Sequence, residues 1–317
     1  MTPLLWIGVF VISLAALVKG SDWVLDGAKK IGIWLGFSPF VVGVLIVGFG
    51  TSAPELVSSI AGVLNNVPEI PVANVIGSNI ANILLVVGIA AVASRKMLSI
   101  STNIVDIEIP LFLLASALLI GVAYDGIVTI PESVVLLVGF IVYIFYNFLH
   151  VDDSQTVRSS RAAKTDRKTP TASDFIFLVV GFIALIVGAN YLIQSVVALS
   201  VAFNVAVGVI TILAVAIGTS LPEFFVSLKA ALSGDTDLSI GNIFGSNTFN
   251  ALVVVGIPGL ITRLTLDTPT LTIGLPTLIV VSVIFAFSGL SRRIHVWEGA
   301  FYILIYILFV AKLFAWF

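Results

Sequence analysis

Cysteine is absent from the 317 residues of the chain, and charged residues make up only 10% of them. The first absence excludes disulfide bonds and thiolate metal sites. The second sets the chain apart from soluble domains, in which about 25% of the residues are charged. With 59% hydrophobic residues and a mean hydropathy of +1.18, the chain has too much apolar surface for a water-exposed fold. We therefore expect its solvent to be a lipid bilayer.

The chain also has few histidines and a small net charge. The two histidines, His150 and His295, fall at the ends of apolar segments, which disfavours a histidine-ligated zinc or copper site. A net charge of −2 gives no support for a nucleic-acid partner. The N-terminal apolar stretch lacks a basic region and a small-residue cleavage site, so we interpret it as a first membrane span.

Apolar runs between turn and charge clusters predict an all-α integral membrane protein with ten transmembrane helices. The predicted spans are 4–30, 39–63, 70–93, 104–123, 128–149, 174–199, 206–231, 238–262, 268–289 and 296–316. Residues 150–173 are polar and predict a cytoplasmic linker between one domain at 1–149 and another at 174–317. A linker of this length leaves no room for a separate soluble domain.

The basic residues predict the orientation of the chain. With the N-terminus outside, twelve Lys and Arg residues fall on the inner side and two, Arg263 and Lys312, on the outer side. The inner residues are Lys29, Lys30, Arg95, Lys96, Arg158, Arg161, Lys164, Arg167, Lys168, Lys229, Arg292 and Arg293. Lys19 lies inside the first span, within reach of Asp22. We expect a multi-pass protein of the cell membrane with an outer N-terminus.

A repeat covers much of both halves. Shifted by 168 positions, residues 20–89 align with residues 188–257 without a gap. Each half then contains five predicted spans, and an odd number places the second copy upside down in the membrane. Inverted repeats are typical of secondary transporters, whose substrates bind near the membrane midplane where the repeats meet. The matched residues include Gly50–Thr51–Ser52 with Gly218–Thr219–Ser220, Pro54–Glu55 with Pro222–Glu223, Asn74 with Asn242, Gly77–Ser78–Asn79 with Gly245–Ser246–Asn247, and Asn82 with Asn250.

Glu55 and Glu223 are the carboxylates that fall in the middle of predicted spans. An ionised group at the bilayer centre costs about 2.5–3.5 kcal/mol even on the lenient insertion scale. No Arg or Lys lies at matching depth in either repeat, so a bound cation is the expected partner. The alternative is a protonated glutamate that joins helices by hydrogen bonds.

Proline interrupts both glutamate helices. Pro54 and Pro222 remove the amides that would bond the carbonyls of Gly50 and Gly218, and these oxygens are expected to turn toward an ion. A simple kink is the alternative. Spacings of four place polar residues on shared helix faces, which predict either a site or hydrogen bonds between helices. These faces are Thr51, Glu55 and Ser59; Thr219, Glu223 and Ser227; Asn74, Ser78 and Asn82; and Asn242, Ser246 and Asn250.

The chemistry of these side chains is entirely that of oxygen ligands. Hard cations suit it, and Ca²⁺ accepts six to eight oxygens in flexible geometry at about 2.3–2.6 Å, whereas Mg²⁺ requires a strict octahedron. Two carboxylates neutralise one divalent ion, two monovalent ions or two protons. The pattern therefore predicts competitive exchange of cations at one site.

The motifs "GTSAPE" with "GSNIAN" and "GTSLPE" with "GSNTFN" resemble the alpha-repeats of the cation/calcium exchanger superfamily, most of all its prokaryotic sodium/calcium exchangers. "GSDW" at 20–23 fits the same branch. The resemblance implies ten helices in two inverted halves, Na⁺ and Ca²⁺ competing for overlapping sites, and a first and a sixth helix that slide as the gate. It also implies no enzymatic activity, no cofactor and no obligatory protein partner.

The same resemblance implies a set of ion ligands. For Ca²⁺ these are the carboxylates of Glu55 and Glu223 and the carbonyls of Thr51 and Thr219. For Na⁺ they are Gly48, Ser52 and Ser246 on one side and Ala216, Ser220 and Ser78 on the other, with Asn82 and Asn250 lining the centre. Relatives often carry an aspartate at the position of Asn250 or Asn82. Because both are asparagine here, the central charge is −2.

Four other functions stay open on sequence grounds. Two glutamates can cycle protons, which would make the chain a Ca²⁺/H⁺ antiporter of the same superfamily, and K⁺ co-transport is a further variant. Two buried acids are also found in intramembrane carboxylate proteases, although the all-oxygen faces and the ungapped repeat favour transport. A passive channel would conduct without a counter-ion, whereas an exchanger stops without one.

Overall fold

The structure, a computed structural model, describes residues 2–35, 50–95, 97–100, 104–149 and 169–314, and these are mostly helical. We number the helices in chain order. They are α1 (Pro3–Leu35), α2 (Ala53–Leu64), α3 (Ile70–Ser94), α4 (Ile109–Ala123, preceded by a π-helical turn at Ile104–Glu108), α5 (Ile130–Leu149), α6 (Ala172–Phe203), α7 (Val207–Thr219), α8 (Leu221–Ser233), α9 (Thr236–Ile261), α10 (Thr270–Leu290) and α11 (Val296–Leu313).

The chain is a multi-pass membrane protein. Among the described residues, eight helices are long and apolar enough to cross a membrane, and nine if the bent pair α7 and α8 counts as one span. Of the predicted second span, 39–63, the residues up to 49 lie outside the described ranges, and the rest includes the 12-residue helix α2. Most of the polar linker, residues 150–168, also lies outside them. The count of ten helices therefore stays a prediction.

Helices α3 and α9, which carry the "GSN" motifs, form the centre of the bundle. In each, 83% of the apolar window is buried inside the protein, against 22% for α1 and 17% for α5. Their small and polar residues lie against other helices, whereas α1, α5 and α6 present large apolar side chains outward, as lipid-facing helices do. The repeated motifs are therefore surrounded by the rest of the chain.

Two short strand pairs join the halves of the chain and were not predicted. Strand β1 (Leu98–Ser99) pairs antiparallel with β4 (Arg293–Ile294), and β2 (Ile127–Val128) pairs antiparallel with β3 (Leu264–Thr265). Each pair has one strand from either half. With two residues per strand, they fall below the length at which alternation can be recognised in a sequence.

The two longest helices, α1 and α6, pack closely along their length. A Cβ atom built on Gly20 would lie 2.8 Å from the carbonyl oxygen of Gly181, and one built on Gly181 would lie 2.8 Å from that of Gly20. The absence of side chains at both positions lets the backbones touch. Lys30 and Asp174 add an ion pair between the same helices, with Nζ and Oδ1 2.6 Å apart. The pairing of Lys19 with Asp22 is confirmed at 3.3 Å.

Candidate cation site between the two glutamate helices

Both glutamates lie in the first turn of a helix that begins directly after a serine, and we call these two starting points, at Ser52 and at Ser220, the first and the second break. Helix α2 begins at Ala53 after Ser52, and α8 begins at Leu221 after Ser220. The two serines have nearly the same backbone angles, φ −86° and ψ 11° for Ser52 and φ −80° and ψ 8° for Ser220. A proline follows in the first turn of each new helix, where its missing N–H is tolerated. Helices α7 and α8 differ in direction by 48° across the second break.

The breaks bring Glu55 and Glu223 together at the centre of the protein. Both residues are 0% exposed. Ser52 Oγ donates a hydrogen bond of 2.8 Å to Glu223 Oε1, and Ser220 Oγ donates one of 3.0 Å to Glu55 Oε1. Each carboxylate is thus held by the serine of the opposite half. Among the described residues, neither forms an ion pair with a lysine or an arginine.

Among the described residues, the second oxygen of each carboxylate has no hydrogen-bond partner. Glu55 Oε2 and Glu223 Oε2 are both buried, and so are the unpartnered hydroxyls of Thr51 and Ser246. Thr51 and Ser246 face the carboxylate of Glu223, and Thr219 faces that of Glu55. An ionised carboxylate oxygen that is buried without a donor is costly, and either a bound cation or a proton would remove its charge.

Four asparagines form a hydrogen-bonded network that joins α3 to α9. Asn82 Nδ2 donates to Asn247 Oδ1 at 3.0 Å, and Asn250 Nδ2 donates to Asn79 Oδ1 at 3.2 Å. Asn79 Nδ2 in turn donates to the backbone oxygen of Asn247 at 3.1 Å. Asn82 and Asn250 use their nitrogens as donors, and their side-chain oxygens are buried and have no partner within the described ranges.

A π-helical turn begins at each of the two central asparagines. It runs over Asn82–Val87 in α3 and over Asn250–Val254 in α9. Such turns are rare, and they are frequent at functional sites because they redirect the side chains around them. The sequence contains no proline or glycine at these points that would indicate a π-helical turn.

The outer members of the predicted polar faces bond to each other and do not reach the carboxylates. Asn74 Nδ2 donates to the backbone oxygen of Glu55 at 3.3 Å and to Ser59 Oγ at 3.2 Å. In the second half, Asn242 Nδ2 donates to the backbone oxygen of Glu223 at 3.4 Å and to Ser227 Oγ at 3.0 Å. These bonds hold each glutamate helix against its "GSN" helix. For these outer residues, the structure therefore shows the alternative predicted from the sequence, hydrogen bonds between helices.

The predicted Na⁺ ligands are brought together in part. Ser78 Oγ donates to the backbone oxygen of Ala216 at 3.5 Å, so these two members of one group meet where α3 crosses α7. In the other group, Ser52 and Ser246 both face Glu223. The third member of that group, Gly48, lies outside the described residues.

The carbonyls freed by proline have partners other than the expected ion. The Gly50 oxygen accepts a hydrogen bond of 3.1 Å from Ser21 Oγ on α1. The Gly218 oxygen accepts one from a backbone N–H at the Ser220 end of α7. Local reasoning could not find the first bond, because Ser21 is 29 positions away in the chain.

Sequence reasoning also missed Asn79 and Asn247 as parts of this centre. Both are buried, and both stand in the repeated "GSN" triplet, which was the available signal. Among the described residues, no group of three or more His, Cys, Asp or Glu side chains can hold a metal ion. A cation at this centre would therefore need hydroxyl, amide or backbone oxygens beside the two carboxylates.

Known membrane proteins are similar to this chain over most of its length. A family model described as "Sodium/calcium exchanger protein" matches residues 5–149 and 173–315. Sodium/calcium exchanger MaX1 of Methanosarcina acetivorans is 31% identical over 96% of this chain and 97% of its own. Inner membrane protein YrbG of Escherichia coli is 30% identical over 89% of this chain and 88% of its own.

A solved structure agrees at the level of the fold. The sodium–calcium exchanger NCX_Mj, soaked with Na⁺ and Ca²⁺, superposes with a TM-score of 0.63 at 28% identity. The superposition covers 97% of this chain and 98% of that one. Similarity over nearly all of both chains indicates one shared membrane fold.

Proposed function

The chain belongs to the sodium/calcium exchanger protein family, and we propose that it is a secondary active antiporter that exchanges Na⁺ for Ca²⁺ by alternating access. The observation that carries the proposal is the pair of buried carboxylates, Glu55 and Glu223, each bonded by a serine of the opposite half. The family is one of transporters, so we assign no enzymatic reaction and no cofactor.

The charge of the site favours exchange between unlike cations. Two carboxylates carry −2, which one Ca²⁺ neutralises and which two Na⁺ neutralise equally well. Because the same charge cannot be neutralised twice, binding of one ion opposes binding of the other. Obligatory exchange follows if the protein changes conformation only when the charge is compensated.

We assign the Ca²⁺ ligands to the carboxylates of Glu55 and Glu223 and to the carbonyls of Thr51 and Thr219. The buried and unpartnered Oε2 atoms of both glutamates support this assignment. The ligand chemistry suits Ca²⁺, which accepts carboxylate and carbonyl oxygens together in flexible geometry.

We assign Na⁺ sites to the two flanking groups. One group is Gly48, Ser52 and Ser246, the other is Ala216, Ser220 and Ser78, and Asn82 and Asn250 line the space between them. Ser52 and Ser220 bond the opposite glutamates directly, so ions in the flanking groups would share those carboxylates with Ca²⁺. The free side-chain oxygens of Asn82 and Asn250 add neutral ligands at the centre.

Alternating access requires two halves that move across a shared centre. We propose ten helices in two inverted five-helix repeats, 1–149 and 174–317, joined by a cytoplasmic linker at 150–173. Helices α1 and α6, which pack through Gly20 and Gly181, would slide together as the gate. The reciprocal bonds at the carboxylates support the symmetry of this arrangement.

We propose that the protein lies in the cell membrane with its N-terminus outside. The strand pair β1–β4 supports this orientation, because it gathers Arg95, Arg292 and Arg293 at one end of the bundle. Basic residues concentrate on the cytoplasmic side of membrane proteins.

Uptake of ⁴⁵Ca²⁺ into sealed vesicles tests the proposal. Vesicles loaded with Na⁺, with Na⁺ and K⁺, or with acid are compared for the wild type, Glu55→Gln and Glu223→Gln. Each variant keeps the shape of the side chain and removes one of the two charges. Glu69→Gln is the matched control, because Glu69 lies between α2 and α3, away from the carboxylate pair.

We expect uptake only with internal Na⁺, its loss in both site variants and its retention in Glu69→Gln. Uptake driven by acid alone would assign the chain to Ca²⁺/H⁺ exchange, and a requirement for K⁺ would assign it to the K⁺-dependent variant. Absence of Ca²⁺ flux under every gradient would refute calcium exchange altogether.

A further inference from the structure

Helix α1 lies against both helix breaks at once. A Cβ atom built on Gly50 would overlap the Leu25 side chain, and one built on Gly218 would overlap that of Leu14. Both leucines belong to α1, where eleven residues correspond to about 16 Å along the helix axis. Any sliding of α1 along its axis therefore changes its contacts with both breaks.

One polar contact joins α1 to the first break. Ser21, which is 2% exposed, donates its hydroxyl to the backbone oxygen of Gly50 at 3.1 Å. That oxygen is available because Pro54 supplies no N–H to it. A backbone carbonyl in an apolar interior needs a donor, and the hydroxyl of Ser21 supplies it.

In the part of the chain that the structure describes, no side-chain hydroxyl of α1 or α6 bonds the second break. Under the repeat shift of 168, the position that matches Ser21 is Ala189, which has no hydroxyl. The Gly218 carbonyl is instead bonded by a backbone N–H at the end of its own helix. The hydrogen bond from Ser21 on α1 to the first break therefore has no counterpart at the second break. The two carboxylates, in contrast, are bonded reciprocally.

We propose that Ser21 is a positioning residue for ion exchange: its hydroxyl holds α1 against the first helix break in the conformation described here. A shift of a few ångströms between α1 and α2 breaks a bond of 3.1 Å. Loss of the hydroxyl then weakens this conformation against the alternative one, and the Gly50 carbonyl becomes free to turn. The inference rests on the proposed function in that it takes α1 to move during exchange.

Saturation of ⁴⁵Ca²⁺ flux from each face of the membrane tests the inference. Right-side-out and inside-out vesicles carry wild type, Ser21→Ala, Ser21→Thr or Ser13→Ala. Ser13→Ala is the matched control, since it removes another buried α1 hydroxyl that has no bond to the site helices among the described residues. Ser21→Thr keeps the hydroxyl and should restore the wild-type behaviour.

We expect Ser21→Ala to raise the half-saturating Ca²⁺ concentration at one face and to lower it at the other. One hydrogen bond corresponds to a change of about two- to tenfold in the equilibrium between two conformations. Unchanged values at both faces would overturn the inference. An equal rise at both faces would do so as well, because it would indicate general damage to the site.

Hydrogen exchange of the amides separates failure of this inference from failure of the proposed function. In Ser21→Ala we expect exchange at the start of α2 to rise about two- to tenfold, while the start of α8 stays unchanged. This measurement needs no Ca²⁺ transport. If the wild type moved no Ca²⁺, equal exchange in both proteins would still refute the role of Ser21.

Discussion

Asn82 and Asn250 occupy matched repeat positions, yet the structure predicts that they tolerate an aspartate differently. Asn250 Nδ2 donates to Asn79 Oδ1 at 3.2 Å, and Asn79 has its own nitrogen committed to the backbone oxygen of Asn247. The Asn79 oxygen therefore requires a donor. In Asn250→Asp, only the protonated acid supplies one.

At the matched position, Asn82, an ionised aspartate can still obtain a hydrogen-bond donor. Asn82 Nδ2 donates to Asn247 Oδ1 at 3.0 Å, but Asn247 Nδ2 has no partner in the described residues. Rotating the Asn247 amide by half a turn presents its nitrogen to position 82 and breaks no other bond. In Asn82→Asp, the ionised carboxylate can therefore accept a hydrogen bond that Asn250→Asp cannot obtain.

The size of the difference follows from the lost bond. A buried acceptor left without a donor costs about 1–3 kcal/mol, which is about 5- to 150-fold in an equilibrium constant. We expect Na⁺-dependent ⁴⁵Ca²⁺ flux of Asn250→Asp, relative to wild type, to fall by a factor in this range as the pH rises and the acid loses its proton. The relative flux of Asn82→Asp should change much less over the same range.

Flux at mildly acidic, neutral and mildly alkaline pH measures both variants. Asn250→Ala, which offers no donor at any pH, is the control and should be impaired throughout. The reasoning is refuted if both aspartate variants show the same pH profile. It is refuted as well if Asn250→Asp is as impaired as Asn250→Ala under acidic conditions.

Two further predictions concern the packing and the break. Gly77→Ala should lower the free energy of unfolding of the purified protein by about 1–3 kcal/mol, since its Cβ would lie 2.5 Å from the Ile212 carbonyl oxygen. At the matched repeat position, a Cβ on Gly245 would have no described atom nearer than 4.0 Å, so Gly245→Ala should be neutral or stabilising. Equal shifts of the melting temperature in the two variants would contradict this packing. Pro222→Ala returns an N–H that can bond the Gly218 carbonyl, so we expect the 48° angle between α7 and α8 to decrease. The rate of ion exchange should then fall several-fold. A wild-type rate in this variant would contradict the dependence of the bend on the proline.

The sequence alone was sufficient to predict the membrane class, most spans and the two prolines beside which the glutamate helices begin. These properties are local: apolar runs, a proline beside a glutamate and spacings of four residues. The gap-free repeat also paired residues 20–89 with residues 188–257, position by position. It thereby identified Glu55 and Glu223 as the acids at the centre before any contact was known.

Only the tertiary structure decided which groups touch. Ser52 and Glu223 are 171 positions apart, and Ser220 and Glu55 are 165 apart, so no local pattern indicates that the serines bond the opposite glutamates. The donor role of the central asparagines and the bond from Ser21 to the Gly50 carbonyl also depend on how helices from distant parts of the chain lie against one another. A repeat predicts which residues are equivalent, whereas packing breaks that equivalence. For this reason the side-chain nitrogen of Asn79 has a partner, whereas that of Asn247 has none in the described ranges.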